Sequence, residues 1–391
     1  MASNLQGKFH SSFLKLPERA DKIKHVLITR TDHIGDLLLT LPIFKALRRA
    51  LPQAEIRALV SPSNCEVLQE CDFVDEVLVF HKDDPQKLSE LEADLRSWKC
   101  DLAVAAAPRS DDYGWARRSG APLRVGFLRR EIGTRIFYAW FCLTHYCVCD
   151  YEHPRESLSE QMAALSELMG IPCDTSLDLP LSRSAREFAA HLQEVWGRPT
   201  IAVHLHGRWL ERSLWRPTRT FYEFSIDNLS ELVGRLSAID TEARLLFTYG
   251  PVERPLAASL RQVLGQLPGG APFELKAGQA LPAHIDSRYI LADSLPFQQW
   301  AALLGNAQII VSPDTGAVHL ASSLHVPVVA VYLPNHYLDS NYYLFAPWQV
   351  PCAKIVRTEA PGAIERIVTA TSALLRGDKA ASDDAFLKPR R

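Results

Sequence analysis

Short apolar runs that close on Gly-, Pro- or Asp-bearing turns and lead into segments of helical spacing recur along this chain, and that alternation narrows the possible folds most. HVLITR, residues 25–30, reads as a buried strand. The turn-like Thr31-Asp32-His33-Ile34-Gly35 follows, and then an apolar segment over residues 36–50 with Leu37, Leu38, Leu41, Phe44 and Leu47 near helical spacing. Pro42 should kink or interrupt that helix. Residues 56–60, 77–80 and 102–106 are further strand candidates, and 88–98 a helix. Strand, loop and helix in repetition favour a parallel sheet covered by helices.

Residues 109–135, rich in glycine and arginine, read as a loop system or cleft wall. A helix over 157–169 ends near Gly170, and 171–184 form the route out of the first half. The pattern then restarts: strands at 200–205, 244–249, 308–311 and 326–332, helices at 221–237, 257–264, 297–304 and 364–375. The expected organisation is an arm (1–24), two α/β domains (25–180 and 181–360), and a final helix with a polar tail (361–391). A ligand cleft is expected where the strand C-termini of the two halves face each other.

Length and composition agree with this. At roughly 150 residues per domain, 391 residues make two or three domains, and 47% hydrophobic with 23% charged residues excludes a mainly disordered or fibrous chain. Lys and Arg total 43 against 45 acidic residues, a formal charge of -2 that demands no nucleic-acid partner. Eight cysteines are too sparse for a disulfide scaffold, no signal-like apolar run precedes Lys22, and no stretch approaches the roughly 18 apolar residues of a membrane span, so a cytoplasmic setting is expected. Cys142, Cys147 and Cys149 read as packing or surface residues, and no HExxH-like pattern is present, so no metal is assigned.

The chain lacks both the GxxxxGK phosphate loop and the GxGxxG dinucleotide fingerprint, which disfavours a nucleotide triphosphatase or a nicotinamide dehydrogenase. Asp36, after Gly35 at a helix start, suits a general base that takes a proton from an attacking hydroxyl, with Thr31, Asp32 and His33 shaping the same rim. A helix cap is the other reading. Asp314-Thr315-Gly316 opens a helix after a strand, where Gly316 lets a phosphate approach backbone N–H groups and Thr315 offers a hydroxyl; a plain capped helix is the alternative. His319, in the next turn, faces the same ligand or packs into the fold. His206, Arg208 and Arg212 follow a strand and either line a diphosphate site or belong to a solvated loop.

Residues 25–60 and 309–334, the second with its Asp-Thr-Gly-x-x-His core, together resemble the ADP-heptose:lipopolysaccharide heptosyltransferase family, glycosyltransferase family 9. The resemblance implies a GT-B enzyme of two facing Rossmann-like domains with an interdomain cleft, the first on the acceptor side and the second holding the nucleotide-sugar donor. It implies Asp36 as the catalytic base, Asp314, Thr315, Gly316 and His319 as the donor motif, and Glu253 as the carboxylate near the donor ribose, for which a solvated glutamate at a helix start is the other reading. The donor it implies is ADP-heptose, with no other cofactor, and the reaction is inverting transfer to a lipid-linked inner-core acceptor of lipopolysaccharide. That places the enzyme at the cytosolic face of the inner membrane, where Arg117 and Arg118, with Arg124, Arg129, Arg130 and Arg135, either meet sugar phosphates or headgroups or form a solvated arginine-rich loop. One departure stands out: the family lysine two residues before a tryptophan is Ser213 here, leaving Arg212 or Arg208 to supply the charge. Another donor or acceptor, or sugar-nucleotide binding without catalysis, are the competing functions.

Overall fold

A computed structural model describes residues 14–129, 140–151, 156–210, 213–215, 220–222, 224–334, 338–357, 360–380 and 382. The chain divides into two compact units, Met1–Leu177 and Asp178–Arg391. In the first, β1 (His25–Arg30), β2 (Glu55–Val60), β3 (Glu76–Val79), β4 (Leu102–Ala105), β5 (Leu123–Arg129) and β6 (His145–Cys149) form one parallel sheet in the order β3-β2-β1-β4-β5-β6. Val26, Leu27 and Ile28 of β1 are wholly buried, as a strand covered by helices on both faces requires.

The helices of this unit are α1 (Ile34–Leu38), α2 (Leu41–Ala50), α3 (Pro85–Trp98), α4 (Ser110–Arg118) and α5 (Leu158–Met169). The break expected at Pro42 separates α1 from α2, and Pro42 itself sits in the first turn of α2, where its missing N–H deprives no helical bond. A capping box of Ser157 and Glu160 starts α5, and Gly170 at φ 74° ends it in the left-handed region. Leu14 and Leu16 of the expected arm are buried, and the Leu14 amide donates to the Leu168 carbonyl at 2.9 Å.

Residues 109–135 are a correction. Rather than a loop system they contain α4 and β5, with 130–139 outside the described residues. Asp112 through Ala116 are buried along α4, and its first turn carries acids while its last carries Arg117 and Arg118, the arrangement that suits the helix dipole. Packing overrides the weak helix propensity of Gly114. On β5, Gly126 is required by close approach: a Cβ there would lie 3.0 Å from the Ala105 carbonyl oxygen and 3.1 Å from the Ala105 Cβ on β4. Gly126→Val is therefore expected to destabilise the chain by about 1–3 kcal/mol through overpacking, checked by denaturant unfolding; an unchanged midpoint would show that β4 and β5 separate at no cost.

In the second unit β7 (Ile201–His204), β10 (Leu245–Tyr249), β11 (Phe273–Lys276), β12 (Tyr289–Asp293), β13 (Ile309–Pro313), β14 (Val328–Tyr332) and β15 (Cys352–Val356) make a parallel sheet ordered β11-β12-β10-β7-β13-β14-β15. A small antiparallel pair, β8 (Ser213–Trp215) and β9 (Thr220–Tyr222), stands apart. The helices are α6 (Arg183–Trp196), α7 (Ile226–Ser237), α8 (Arg254–Leu264), α9 (Phe297–Asn306), α10 (Gly316–Ser323), α11 (Leu338–Leu344) and α12 (Ala360–Leu375). Ile201, Val203, Leu245, Phe247, Ile309 and Val311 pack with Leu232, Leu260 and Ile367 in one core. Two α/β sheets with flanking helices are the GT-B-like, two-Rossmann-domain architecture expected from the sequence. Among the described residues no helix is long and apolar enough to cross a membrane.

Candidate functional site

Each sheet reverses its strand order beside its first strand, and loops leaving the strand C-termini at such a reversal open a crevice for ligand. The reversal falls between β1 and β4 in the first unit and between β7 and β13 in the second. Both sequence motifs singled out for chemistry leave the strands that border these points.

Arg30 closes β1 with a side chain only 2% exposed. A buried guanidinium must find partners for its fixed fork of donors, and this one finds them in three directions. Nε donates to Asp32 Oδ1 at 2.9 Å, Nη1 to the Ala106 carbonyl beyond β4 at 2.6 Å, and Nη2 to Asp36 Oδ1 at 3.0 Å. A third carboxylate, Asp112 in the first turn of α4, is fully buried and accepts the Thr31 amide at 3.2 Å and the Thr31 hydroxyl at 3.1 Å. Burial pushes the Asp32 carboxyl up to about 7, with Arg30 opposing the rise and the Asp36 and Asp112 charges adding to it. Burial raises Asp112 as well, again against the pull of Arg30. Asp36, in the first turn of α1, keeps 18% of its side chain exposed, so it is the member of the cluster that reaches the surface.

The expected rim residues divide. Thr31 and Asp32 are buried and engaged with Asp112 and Arg30, whereas His33 is exposed at the N-terminus of α1. A cavity of about 430 Å³ opens next to them, lined by Thr31, Ser61, Phe80, Lys82, Arg109 and Asp111 among others. Arg117 and Arg118 occupy the opposite end of α4 from Asp112: Arg117 lies 3.8 Å over the Phe141 ring, and Arg118 stands 3.9 Å from Glu92. Arg130 and Arg135 lie outside the described residues.

In the second unit Thr315 caps α10, its hydroxyl accepting from the Ala317 amide at 3.4 Å, and Gly316 begins the helix. Arg208, in the loop after β7, donates from Nη1 to both the Asp314 carbonyl at 2.6 Å and Asp314 Oδ2 at 2.9 Å. Its side chain is 39% exposed while Asp314 is buried, so the salt link holds a cation beside the N-terminus of α10, where the dipole also favours an anion. His206 Nδ1 accepts the Arg208 amide at 3.1 Å, and its Nε2 lies 4.0 Å from Glu253 Oε1 at the start of α8. His319, in the second turn of α10, is buried with its ring edge-on to Phe345. Arg212 lies outside the described residues; Ser213 begins β8.

The sequence reading missed three residues here: Arg30, Asp112 and Arg357. Arg357, just past β15 and 1% exposed, donates from Nη1 to the Arg208 carbonyl at 2.9 Å and to the Trp209 carbonyl, holding the loop that presents Arg208. Behind the same loop, His204 bonds Thr248 Oγ1 through Nδ1 at 3.0 Å, and burial pushes its ring down to about 3, so it is neutral there. An arginine at the end of a short, mostly apolar strand was the available signal for Arg30 and Arg357, in HVLITR and CAKIVR, since a charge at the end of a buried strand calls for a partner.

Among family models, that of glycosyltransferase family 9 (heptosyltransferase) matches residues 259–352. No curated protein matches. Among solved structures, a family 9 glycosyl transferase from Veillonella parvula is 17% identical with a TM-score of 0.68, covering 94% of this chain and 100% of its own. The E. coli ADP-heptose lps heptosyltransferase II is 16% identical with a TM-score of 0.63, covering 90% of this chain and all of its own. An E. coli heptosyltransferase with ADP-2-deoxy-2-fluoro heptose is 17% identical with a TM-score of 0.59, covering 88% and 98%. At these identities the likeness is one of fold.

Proposed function

We propose, from the chain's membership of glycosyltransferase family 9 (heptosyltransferase), that it transfers heptose with inversion from ADP-heptose to an inner-core acceptor of lipopolysaccharide. The observation that carries the reading is the Arg208–Asp314 link beside Thr315-Gly316, a cation fixed at a helix N-terminus on the reversal point of its sheet. In this mechanism the donor diphosphate lies against Arg208 and the Thr315-Gly316 backbone, with Glu253 toward the ribose. Asp36 takes the proton of the acceptor hydroxyl as its oxygen bonds to the anomeric carbon, and the bond from that carbon to the diphosphate breaks, releasing ADP. The acceptor sugar occupies the cavity beside Thr31 and Arg109, and lipid-linked acceptor brings the enzyme to the cytosolic membrane face, with Arg117 and Arg118 toward headgroups.

Because the family lysine is Ser213, we assign the phosphate contact to Arg208, whose guanidinium is already oriented by Asp314. Arg208→Ala is expected to weaken ADP binding about 10–100-fold, the loss of one or two charge-assisted hydrogen bonds; calorimetric titration with ADP reads it, and unchanged affinity would remove Arg208 from the donor site. The same Ser213 favours a second reading, a family 9 transferase using a different nucleotide sugar. A mass-resolved assay pairing ADP-heptose and other nucleotide sugars with truncated lipopolysaccharide decides between them. Gain of one heptose mass on the acceptor supports the first; transfer only from another donor supports the second, and no transfer from any donor while ADP binds leaves a sugar-nucleotide-binding protein.

A further inference from the structure

The mechanism above uses Asp36 and leaves unexplained why a wholly buried arginine and two further buried carboxylates lie directly behind it. Arg30 has three donor directions, each with its own acceptor on a different segment: Asp32 on the loop after β1, the Ala106 carbonyl after β4, and Asp36 on α1. Only a planar guanidinium presents three separated nitrogens in fixed geometry; an ammonium in the same place is a point charge that leaves the relative angles free. The acceptors are themselves held. The Asp32 carbonyl accepts from Ser61 Oγ at 2.8 Å and Asn64 Nδ2 at 3.3 Å, and Asp112 fixes Thr31 through both its amide and its hydroxyl. Arg30 thus ties the two strands that flank the reversal point to the first turn of α1, and the position of the Asp36 carboxylate follows from that tie.

We propose that Arg30 is a positioning residue for the transfer reaction, aiming the Asp36 carboxylate by a fork whose Nε arm is anchored on Asp32. The proposal rests on the reading of Asp36 as the base. It makes Asp32 an acceptor of one hydrogen bond rather than a required negative charge: an asparagine, which keeps the oxygen that Arg30 Nε needs, serves in its place, and an alanine does not.

The test is carried out on the full chain with Arg30→Lys, Asp32→Asn and Asp32→Ala, measuring kcat and KM for donor and acceptor separately. Arg30→Lys is expected to lower kcat about 100-fold with both KM values within about twofold, since misplacing a catalytic group by about 1 Å costs that much. Asp32→Ala is expected to lower kcat about tenfold and Asp32→Asn to stay within about threefold of wild type, the Asp32 pair remaining readable if Arg30→Lys fails to fold. Wild-type kcat in Arg30→Lys, a loss confined to KM, or equal losses in the two Asp32 variants would overturn the assignment. If the wild-type chain transfers no sugar, the reading of the reaction fails, and a double-mutant cycle still decides on Arg30. Unfolding midpoints of Arg30→Lys, Asp36→Ala, which removes the accepting oxygen, and the pair should be non-additive, and additive midpoints would show that Arg30 does not hold Asp36.

Discussion

Asp36→Asn is expected to bind ADP as tightly as the wild type and to transfer sugar about 10²–10⁴-fold more slowly, the range that a positioned general base supplies. Asparagine retains the oxygen that accepts from Arg30 Nη2, so the loop after β1 and the start of α1 keep their geometry. What disappears is the capacity to receive a proton from the acceptor hydroxyl as the new bond forms. The donor contacts proposed above, Arg208 and Asp314-Thr315-Gly316, belong to the other unit, and the hydrogen bonds among them do not involve Asp36. Kinetic assay of transfer beside calorimetric titration of ADP therefore separates the two roles. Equal weakening of ADP binding would place Asp36 in the donor site, and undiminished transfer would assign the proton to another group.

The elements legible in the sequence were those whose signal is local. HVLITR needs only its own residues to read as a covered strand, and Asp-Thr-Gly after an apolar run is enough to mark a helix start with exposed N–H groups. Residues 109–135 misled because Ser110–Arg118 carries glycine and two aspartates in a helix whose face is set by burial of Asp112 against β1 and β4. Asp112 illustrates the general limit. Thr31, which binds it twice, is 81 positions away, and no periodicity within either segment reports the other. The same holds for Arg357, which meets the Arg208 carbonyl across 149 positions.

These long-range contacts share a form. In each unit a fully buried arginine stands at the end of a strand, Arg30 as the last residue of β1 and Arg357 just after β15, and each fixes a loop that presents a candidate functional side chain. Arg30 does so through side-chain carboxylates, Arg357 through the backbone carbonyls of residues 208 and 209. A rigid fork in a dry surrounding orients its partners at low entropy cost, which is what a site built on loops otherwise lacks.

The largest stability effect is expected from Arg30→Met. It leaves Asp32, Asp36 and Asp112 clustered without their shared guanidinium, and breaking a buried ion pair from one side costs about 3–5 kcal/mol. The loss depends on pH, with a sign that follows from Asp32. Its carboxyl is raised by burial from 3.8 to about 7, so the folded chain holds a proton there that the unfolded chain has released. Its contribution to stability is therefore full below about pH 4 and is lost as the pH rises through about 7. In Arg30→Met the cation that opposes the rise is gone, so the folded state binds its protons to higher pH, and acid neutralises the very charges left unpaired. Denaturant unfolding of wild type and variant at pH 5 and pH 8 should show the gap between them widest at pH 8. An equal gap at both values would mean that the three carboxylates do not share Arg30 electrostatically, and that its role is confined to the shape of the loop.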